Sequence, residues 1–343
     1  MRAYDDSERL IDAVQVARTR GEGIRLQGHG SKNFLSTPNL RRTQGNILST
    51  LDHTGVINYS PDELVMTVRA GTTLSEIEDL LNEEEQIFPA DPPCYGGQGT
   101  IGGAIAAGIS GPGRPWLGAV RDAILGIEIV NGLGERLNFG GQVMKNVAGY
   151  DISRLMVGSY GTMGIILSVS LKVLPRPQCV RTLQKEIPVE KLQKFMTRFF
   201  REPAPLTATY YEPDRLWIRL SGSEESVGDA VSRLDMDEDV DSAFWHRVRD
   251  QERAFFLTEK PLWKVSLPRG FDPKEIPEGW DYVSEWGGAQ VWCRNNEVQG
   301  LSETATVNSF RNIENELQKQ SVYSERLKKA FDPDAILNPG VLV

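Results

Sequence analysis

Leu10, Ile11, Val14 and Ala17 recur at helical spacing, which predicts a helix capped by Ser7 and running to about Arg20. Gly21 and Gly23 end it, and "IRLQ" reads as a short strand stopping at Gly28. In "ELVMTVRAG", Leu64, Met66 and Val68 alternate with polar neighbours, the pattern of a half-buried strand. Thr73 and Glu76 form a capping box ahead of Leu74, Ile77, Leu80 and Leu81, so a helix opens there. Beyond a glycine-rich stretch the texture changes. "AILGIEIVNGLGERLNFG" predicts two strands about Asn131-Gly132, and Ile165, Leu167, Val169, Leu171 and Val173 alternate up to Pro175. This part reads as mostly antiparallel sheet, with Pro175 and Pro177 as a boundary. From about Val180, helical segments ("VEKLQKFMTRFF") alternate with strands ("RLWIRL", "LWKVSL", "AQVWCR"), which points to a separate α+β domain. A final helix is expected from about Glu314 to Phe331, before "DPDAILNPG".

At 343 residues the chain has room for two cores, and 40% apolar with 25% charged residues is ordinary globular composition. The net charge of −9, without a basic cluster, argues against a nucleic-acid partner. No apolar run reaches the length of a membrane span, and "MRAYDDSERL" does not read as a signal peptide. The chain therefore reads as cytoplasmic, with peripheral docking to the inner membrane through partners left open. Cys94, Cys179 and Cys293 are scattered and too few for an iron–sulfur cluster or a disulfide framework. His29, His53 and His246 have no metal-ligand spacing, so no metal site is expected.

The glycine-rich stretch "DPPCYGGQGTIGGAIAAGISGPGRP" contains G-x-G-x-x-G from Gly97 to Gly102. A Rossmann loop must leave a buried strand, and the Pro92-Pro93 pair rules such a strand out. A flexible linker is the bland alternative, but "TIGGAIAAGI" interleaves glycine with small apolar residues rather than polar ones. Gly99, Thr100, Ile101, Gly102 and Gly103 instead read as a phosphate cradle of backbone N–H groups at a helix start. "QGHGSKNF" is a second loop of this kind, putting Gly28, Gly30, Ser31 and Lys32 where a turn can face a phosphate. Two such loops favour a large diphosphate cofactor.

The segments "IRLQGHGSK", "VRAGTTLSEIEDLL", "FPADPP", "GTIGGAIAAGISGPGRPWLGAVRDAILGIEIVNGLGE", "KNVAGYDISRLMVGSYGTMGII" and "FDPDAILNPG" occur in an order that resembles the PCMH-type FAD-binding domain of the vanillyl-alcohol oxidase superfamily. Within it the chain is similar to the FAD-binding E subunits of bacterial glycolate oxidases. The resemblance implies a two-lobed FAD-binding domain over 1–175, a smaller α+β cap domain over 180–320, and a C-terminal segment, 321–343, that returns to the first domain. It implies FAD held without a covalent bond. Gln27, Gly28, His29, Gly30, Ser31 and Lys32, with Thr100 to Gly103, would approach the pyrophosphate. Asp91 and Pro92 would lie along the flavin, Arg114 near flavin or phosphates, and Thr162, Gly164 and Ile165 at the ribose and adenine end. Asn338 would come back to the flavin.

Four departures matter. His29 stands near a position from which related flavoproteins attach FAD covalently. Tyr160 replaces a glutamate common in the catalytic relatives, and the closing "NPGVLV" lacks their basic-aromatic ending. Relatives that oxidise 2-hydroxy acids present histidine pairs, a glutamate and arginines from the cap, whereas between Val180 and Ser321 the only histidine is His246, which "SAFWHRVRD" offers with Arg247 and Arg249. Their spacing beside Phe244 and Trp245 reads as a packed helix face, so no catalytic residue is assigned. The implied function is the FAD subunit of a heteromeric 2-hydroxy-acid (glycolate) oxidase. It would work with a paralogous FAD subunit and pass electrons to an iron–sulfur partner or quinone. The alternatives are a stand-alone FAD oxidoreductase for alcohols or hydroxy acids, and a structural subunit that has lost FAD.

Overall fold

The computed structural model describes residues 3–35, 46–141, 151–201, 203–239, 241–268, 276–299, 301, 304–311 and 322–341. Residues 145–150 of "KNVAGY" and the expected helix before residue 322 lie outside them. The chain is α+β and divides into two compact units: Met1–Ser110, Gly118–Pro175 and Leu317–Val343 form one, Gly111–Leu117 and Arg176–Glu316 the other. The seven residues Gly111–Leu117, expected in the first domain, thus belong to the second unit.

In the first unit five antiparallel strands run in the spatial order Val56–Ser60, Val65–Arg69, Ile165–Lys172, Ile124–Val130, Arg136–Gly140. Met66, Val68, Ile127, Val169 and Leu171 pack with Leu74 and Ile77 of helix Leu74–Glu83 and with Ile101 and Ile105 of helix Ile101–Ala107. A second cluster joins Leu10, Val14 and Ala17 of helix Ser7–Arg20 to Val130, Ile165 and Leu167. Strand Ile24–Gln27 pairs in parallel with Asn46–Ser49.

The Thr73–Glu76 capping box forms as its spacing requires. Three local readings change. Ser7 is the first helical residue rather than the cap, which is Asp6. Strand Val65–Arg69 is buried on both faces, because Val65 and Thr67 are covered too and Thr67 Oγ1 lies 2.9 Å from Ser170 Oγ. Asn131-Gly132 does not make a two-residue turn. Val130 pairs with Arg136 across a five-residue loop, in which Asn131 Oδ1 accepts from the amides of Leu133 and Glu135. Gly132 is small for another reason: a Cβ there would fall 2.7 Å from Asp332 Cα, 200 positions along the chain.

That approach anchors the C-terminal segment. Lys328, on helix Val322–Phe331, donates its ammonium protons to the carbonyls of Thr162 and Leu337, each at 2.8 Å, and to the Asp332 carboxylate. Asp332 in turn accepts from the amides of Ile336 at 3.1 Å and Leu337 at 2.8 Å. Both residues are buried. Burial lowers the Lys328 pKa and the Asp332 carboxylate opposes that shift.

The second unit is built on an eight-stranded antiparallel sheet, from Asp237–Asp239 at one edge through Cys179–Glu186, Arg215–Gly222, Leu206–Glu212, Tyr282–Glu285, Gln290–Cys293 and Leu262–Ser266 to Thr306–Arg311. Leu183, Leu216, Ile218 and Leu220 meet the helices Val189–Phe199 and Glu224–Arg233 on one face. The other face is aromatic, where Trp217 stacks on Phe244 and Trp245 Nε1 donates to Thr182 Oγ1. Phe244, Trp245 and Val248 of helix Phe244–Arg249 are buried and His246 is exposed, so "SAFWHRVRD" is a packed amphipathic face.

Removing the Asp332 carboxylate leaves a buried ammonium and two backbone amides without their acceptor. Asp332→Ala is expected to cost about 3–5 kcal/mol, measured by urea unfolding. A loss below about 1 kcal/mol, the value of an exposed pair, would contradict the latch. His53 supplies a pH test: its Nδ1 accepts from the Asp6 amide at 3.0 Å, and burial holds its pKa below 6.5 despite Asp5. Below 6.5 the unfolded chain takes up a proton that the folded one resists. His53's contribution is therefore complete above 6.5 and falls as the pH drops. His53→Gln is expected to flatten that acid-side decline in thermal midpoint.

Candidate functional site

A solvent-open cleft runs through the first unit. One wall is the loop that follows strand Ile24–Gln27; another is the first turn of helix Ile101–Ala107. The loop reaches that turn because residue 28 is glycine: a Cβ there would lie 2.9 Å from Thr100 Oγ1. Tyr160, Gly161, Gly164, Ile165 and Ile166 form a third side, and Asn338 closes it from the C-terminal segment.

Asn338 is held at both ends of its amide. Its Oδ1 accepts from the Leu26 amide and its Nδ2 donates to the Tyr160 carbonyl, both at 2.7 Å. Asn338 and Tyr160 have φ of +44° and +52°, a region that non-glycine residues occupy at some cost. These bonds hold them there. Gly161 leaves room for the contact, since a Cβ on it would come 2.9 Å from Asn338 Nδ2.

The helix start does not offer the free donors that the glycine pattern implied. Ile101 N–H donates to Thr72 O, Gly102 N–H to Ala70 O, Gly103 N–H to Thr100 Oγ1 and Ala104 N–H to Thr100 O, at 2.9 to 3.1 Å. All four amides are satisfied within the protein. Gly102 serves packing: its Cβ would sit 2.7 Å from Ala70 Cβ and 2.9 Å from Ala70 O. Gly103 has only Thr100 Oγ1 near its missing Cβ, at 3.2 Å, and lines the cleft. The loop differs. The amides of His29, Gly30 and Ser31 donate to none of the described residues, and His29 is exposed at the rim. Anion-binding capacity in this cleft therefore lies in the loop rather than at the helix.

Of the residues named from the sequence, Gln27, Gly28, His29, Gly30, Ser31, Lys32, Thr100, Gly102, Gly103, Gly164, Ile165 and Asn338 line the cleft. Asp91, Pro92, Gly99, Ile101 and Thr162 do not. Ile101 is buried in the core, and Thr162 gives its carbonyl to Lys328. Arg114 lies in the second unit, its guanidinium carbon 4.7 Å from the Trp286 ring centre. Sequence reasoning passed over Leu26, Asn33, Ala106 and Ile166, whose pattern is that of any strand or helix. It noted Tyr160 only as a departure from a motif. Among the described residues no three His, Cys, Asp or Glu side chains come together to hold a metal ion.

The family model described as "FAD binding domain" matches residues 3–140. Glycolate oxidase subunit GlcE of Escherichia coli (strain K12) is 38% identical over 99% of this chain and 98% of its own length. Glycolate oxidase subunit GlcD of Bacillus subtilis (strain 168) is 32% identical over 41% of this chain, and the match covers 30% of GlcD. Among solved structures, an alkyldihydroxyacetonephosphate synthase superposes with a TM-score of 0.69 at 16% identity, over 97% of this chain and 75% of its own. That likeness concerns the fold. The cleft fits FAD on its own chemistry: loop amides suit a diphosphate, and Leu26, Ala106 and Ile166 offer an apolar wall to a ring system.

The two glycines are expected to separate in mutagenesis. Gly103→Val should keep the fold, by circular dichroism, and lose most bound flavin, read as the flavin-to-protein absorbance ratio. Gly102→Val should lower the thermal midpoint itself, because its side chain has no space beside Ala70. A Gly103→Val protein that purifies with a full complement of flavin would refute this assignment of the cleft wall.

Proposed function

The chain belongs to the GlcE family of glycolate oxidase subunits, and on that premise we propose that it is the FAD-holding subunit of a heteromeric oxidase of small 2-hydroxy acids, glycolate in particular. The observation that carries this reading is the first unit's cleft, in a chain related over 99% of its length to such a subunit. When bound, FAD supplies the two-electron acceptor chemistry that hydroxy-acid oxidation requires.

The chain's own residues bind and orient. In this reading the amides of His29 to Ser31 face the diphosphate, and Asn338 and Tyr160 fix the third side of the cleft, Tyr160 through its amide, which donates to Ala106 O at 2.9 Å. Leu26 and Ile166 exclude water from the ring system. Three cysteines are too few for an iron–sulfur cluster, so electrons leave to an iron–sulfur subunit or a quinone. A second FAD subunit of the GlcD kind completes the assembly. No helix among the described residues is long and apolar enough to cross a membrane. Any membrane association in this proposal runs through partners.

The test compares the purified chain with the chain co-expressed with its partner subunits. The chain alone is expected to show a flavin spectrum, and acid precipitation should release all the flavin into the supernatant. Complete glycolate turnover is expected only where the partners co-purify. A stable isolated monomer that turns glycolate over at the full rate would overturn the heteromeric reading.

A further inference from the structure

The loop wall of the cleft meets the helix wall at two points, and one of them is made by a side chain that does not itself line the cleft. At the first, Gly28 comes against Thr100, its missing Cβ 2.9 Å from Thr100 Oγ1. At the second, Tyr95 reaches the far end of the loop. Its ring meets that of Phe34 edge to face, 5.3 Å between centres, and the Lys32 ammonium lies 5.4 Å from the Tyr95 ring centre. Lys32 Nζ also approaches Gly99, where a Cβ would stand 3.2 Å from it. Between the two points lie the amides of His29, Gly30 and Ser31, which bond to none of the described residues.

Tyr95 is held there at a conformational cost. Its φ is +46°, and Gly96 and Gly97 follow it in the left-handed region. Glycine takes such angles freely and tyrosine does not. The Gly99 amide closes the turn on Cys94 O at 3.0 Å, and the Leu74 amide anchors it on Gly99 O at 2.8 Å. Thr100, the cap of helix Ile101–Ala107, comes next in the chain. The strained turn is thus joined to the helix start, and its tyrosine extends that anchorage to the loop. Within the loop the Asn33 amide bonds to Gly30 O and the Leu35 amide to Lys32 O, each at 3.0 Å. Those bonds are local, whereas Tyr95 supplies a contact from outside.

We propose that Tyr95 is the positioning residue of the anion-binding loop, clamping Phe34 and Lys32 so that the three open amides and the Lys32 ammonium are held ready for a diphosphate. One ring serves an aromatic neighbour and a cation together. A loop without this clamp has to be ordered by the ligand, and affinity falls accordingly. The proposal rests on the cleft being the FAD site. Tyr95 is not among the residues lining that cleft and acts through the loop.

The experiment uses the full chain stripped of flavin, as wild type, Tyr95→Phe, Tyr95→Leu, Phe34→Leu, Lys32→Met and the Tyr95→Leu/Lys32→Met pair. FAD binding is followed by flavin fluorescence, ADP binding by competition, and the fold by the thermal midpoint without ligand. Tyr95→Phe keeps the ring and is expected to bind FAD as the wild type does. Tyr95→Leu should bind FAD about tenfold more weakly, with an unchanged unliganded midpoint. ADP carries the diphosphate without the flavin and should weaken by the same factor. Phe34→Leu should lose affinity in the same direction, which keeps the test decisive should Tyr95→Leu not fold. In the pair, the combined loss should fall short of the product of the single losses, because both variants remove one contact. The clamp is overturned if Tyr95→Phe is as weak as Tyr95→Leu, if ADP affinity holds while FAD affinity falls, if the single losses multiply in full, or if the unliganded midpoint falls while FAD affinity holds. A wild-type chain that takes up no FAD overturns the cofactor reading together with the clamp. Equal FAD affinity in the wild type and Tyr95→Leu overturns the clamp alone.

Discussion

The cleft of the first unit depends on one buried ion pair. Lys328 and Asp332 satisfy each other inside the fold, and their remaining bonds go to backbone: Thr162 and Leu337 carbonyls from the lysine, Ile336 and Leu337 amides to the aspartate. Replacing such a pair by apolar residues is often harmless in other proteins, so its value here is positional. It sets the loop that presents Asn338, whose amide joins Leu26 to Tyr160 and thereby ties the first strand to the third wall of the cleft. Gly132 is part of the same device, because any side chain there would occupy the space of Asp332.

Glycine has three separate uses around this cleft. Gly102 lets a helix approach Ala70, Gly28 lets a loop approach Thr100, and Gly161 admits the Asn338 amide. None of these is an anion contact. The donors left over for a ligand are the amides of His29 to Ser31, which bond to none of the described residues, while the Gly30 carbonyl accepts from the Asn33 amide at 3.0 Å. Two stretches that look equivalent as text therefore divide the labour. Both line the cleft, but one uses its amides inside the protein and the other leaves them open.

This division explains what the sequence made legible. Thr73 and Glu76 are a local signal read over three residues, and the structure carries it as written; the alternation from Ile165 to Val173 marks the strand Ile165–Lys172, in which Ile166, Ser168 and Ser170 are buried as well. The reason for Gly132 depends on Asp332, which no short window contains. The strand Val65–Arg69 reads as half-buried because Thr67 is polar, yet Thr67 is buried against Ser170. Arg114 is named near the flavin by resemblance alone, and its segment packs into the second unit. Tyr160 shows the opposite case: a residue visible only as a mismatch with a motif lines the cleft and bonds to its closing side chain.

The same reasoning assigns a purpose to the second unit's two faces. The face bearing Leu183, Ile218 and Leu220 is apolar and covered by two helices, which is sufficient to hold a sheet together. A stability argument alone would leave the opposite face aromatic throughout, as it is around Trp217 and Phe244. At Lys264 and Gln290 the pattern breaks, with a charge between indoles and an amide with no partner where a leucine would pack. Departures of this kind from an otherwise consistent core concentrate where a protein binds something.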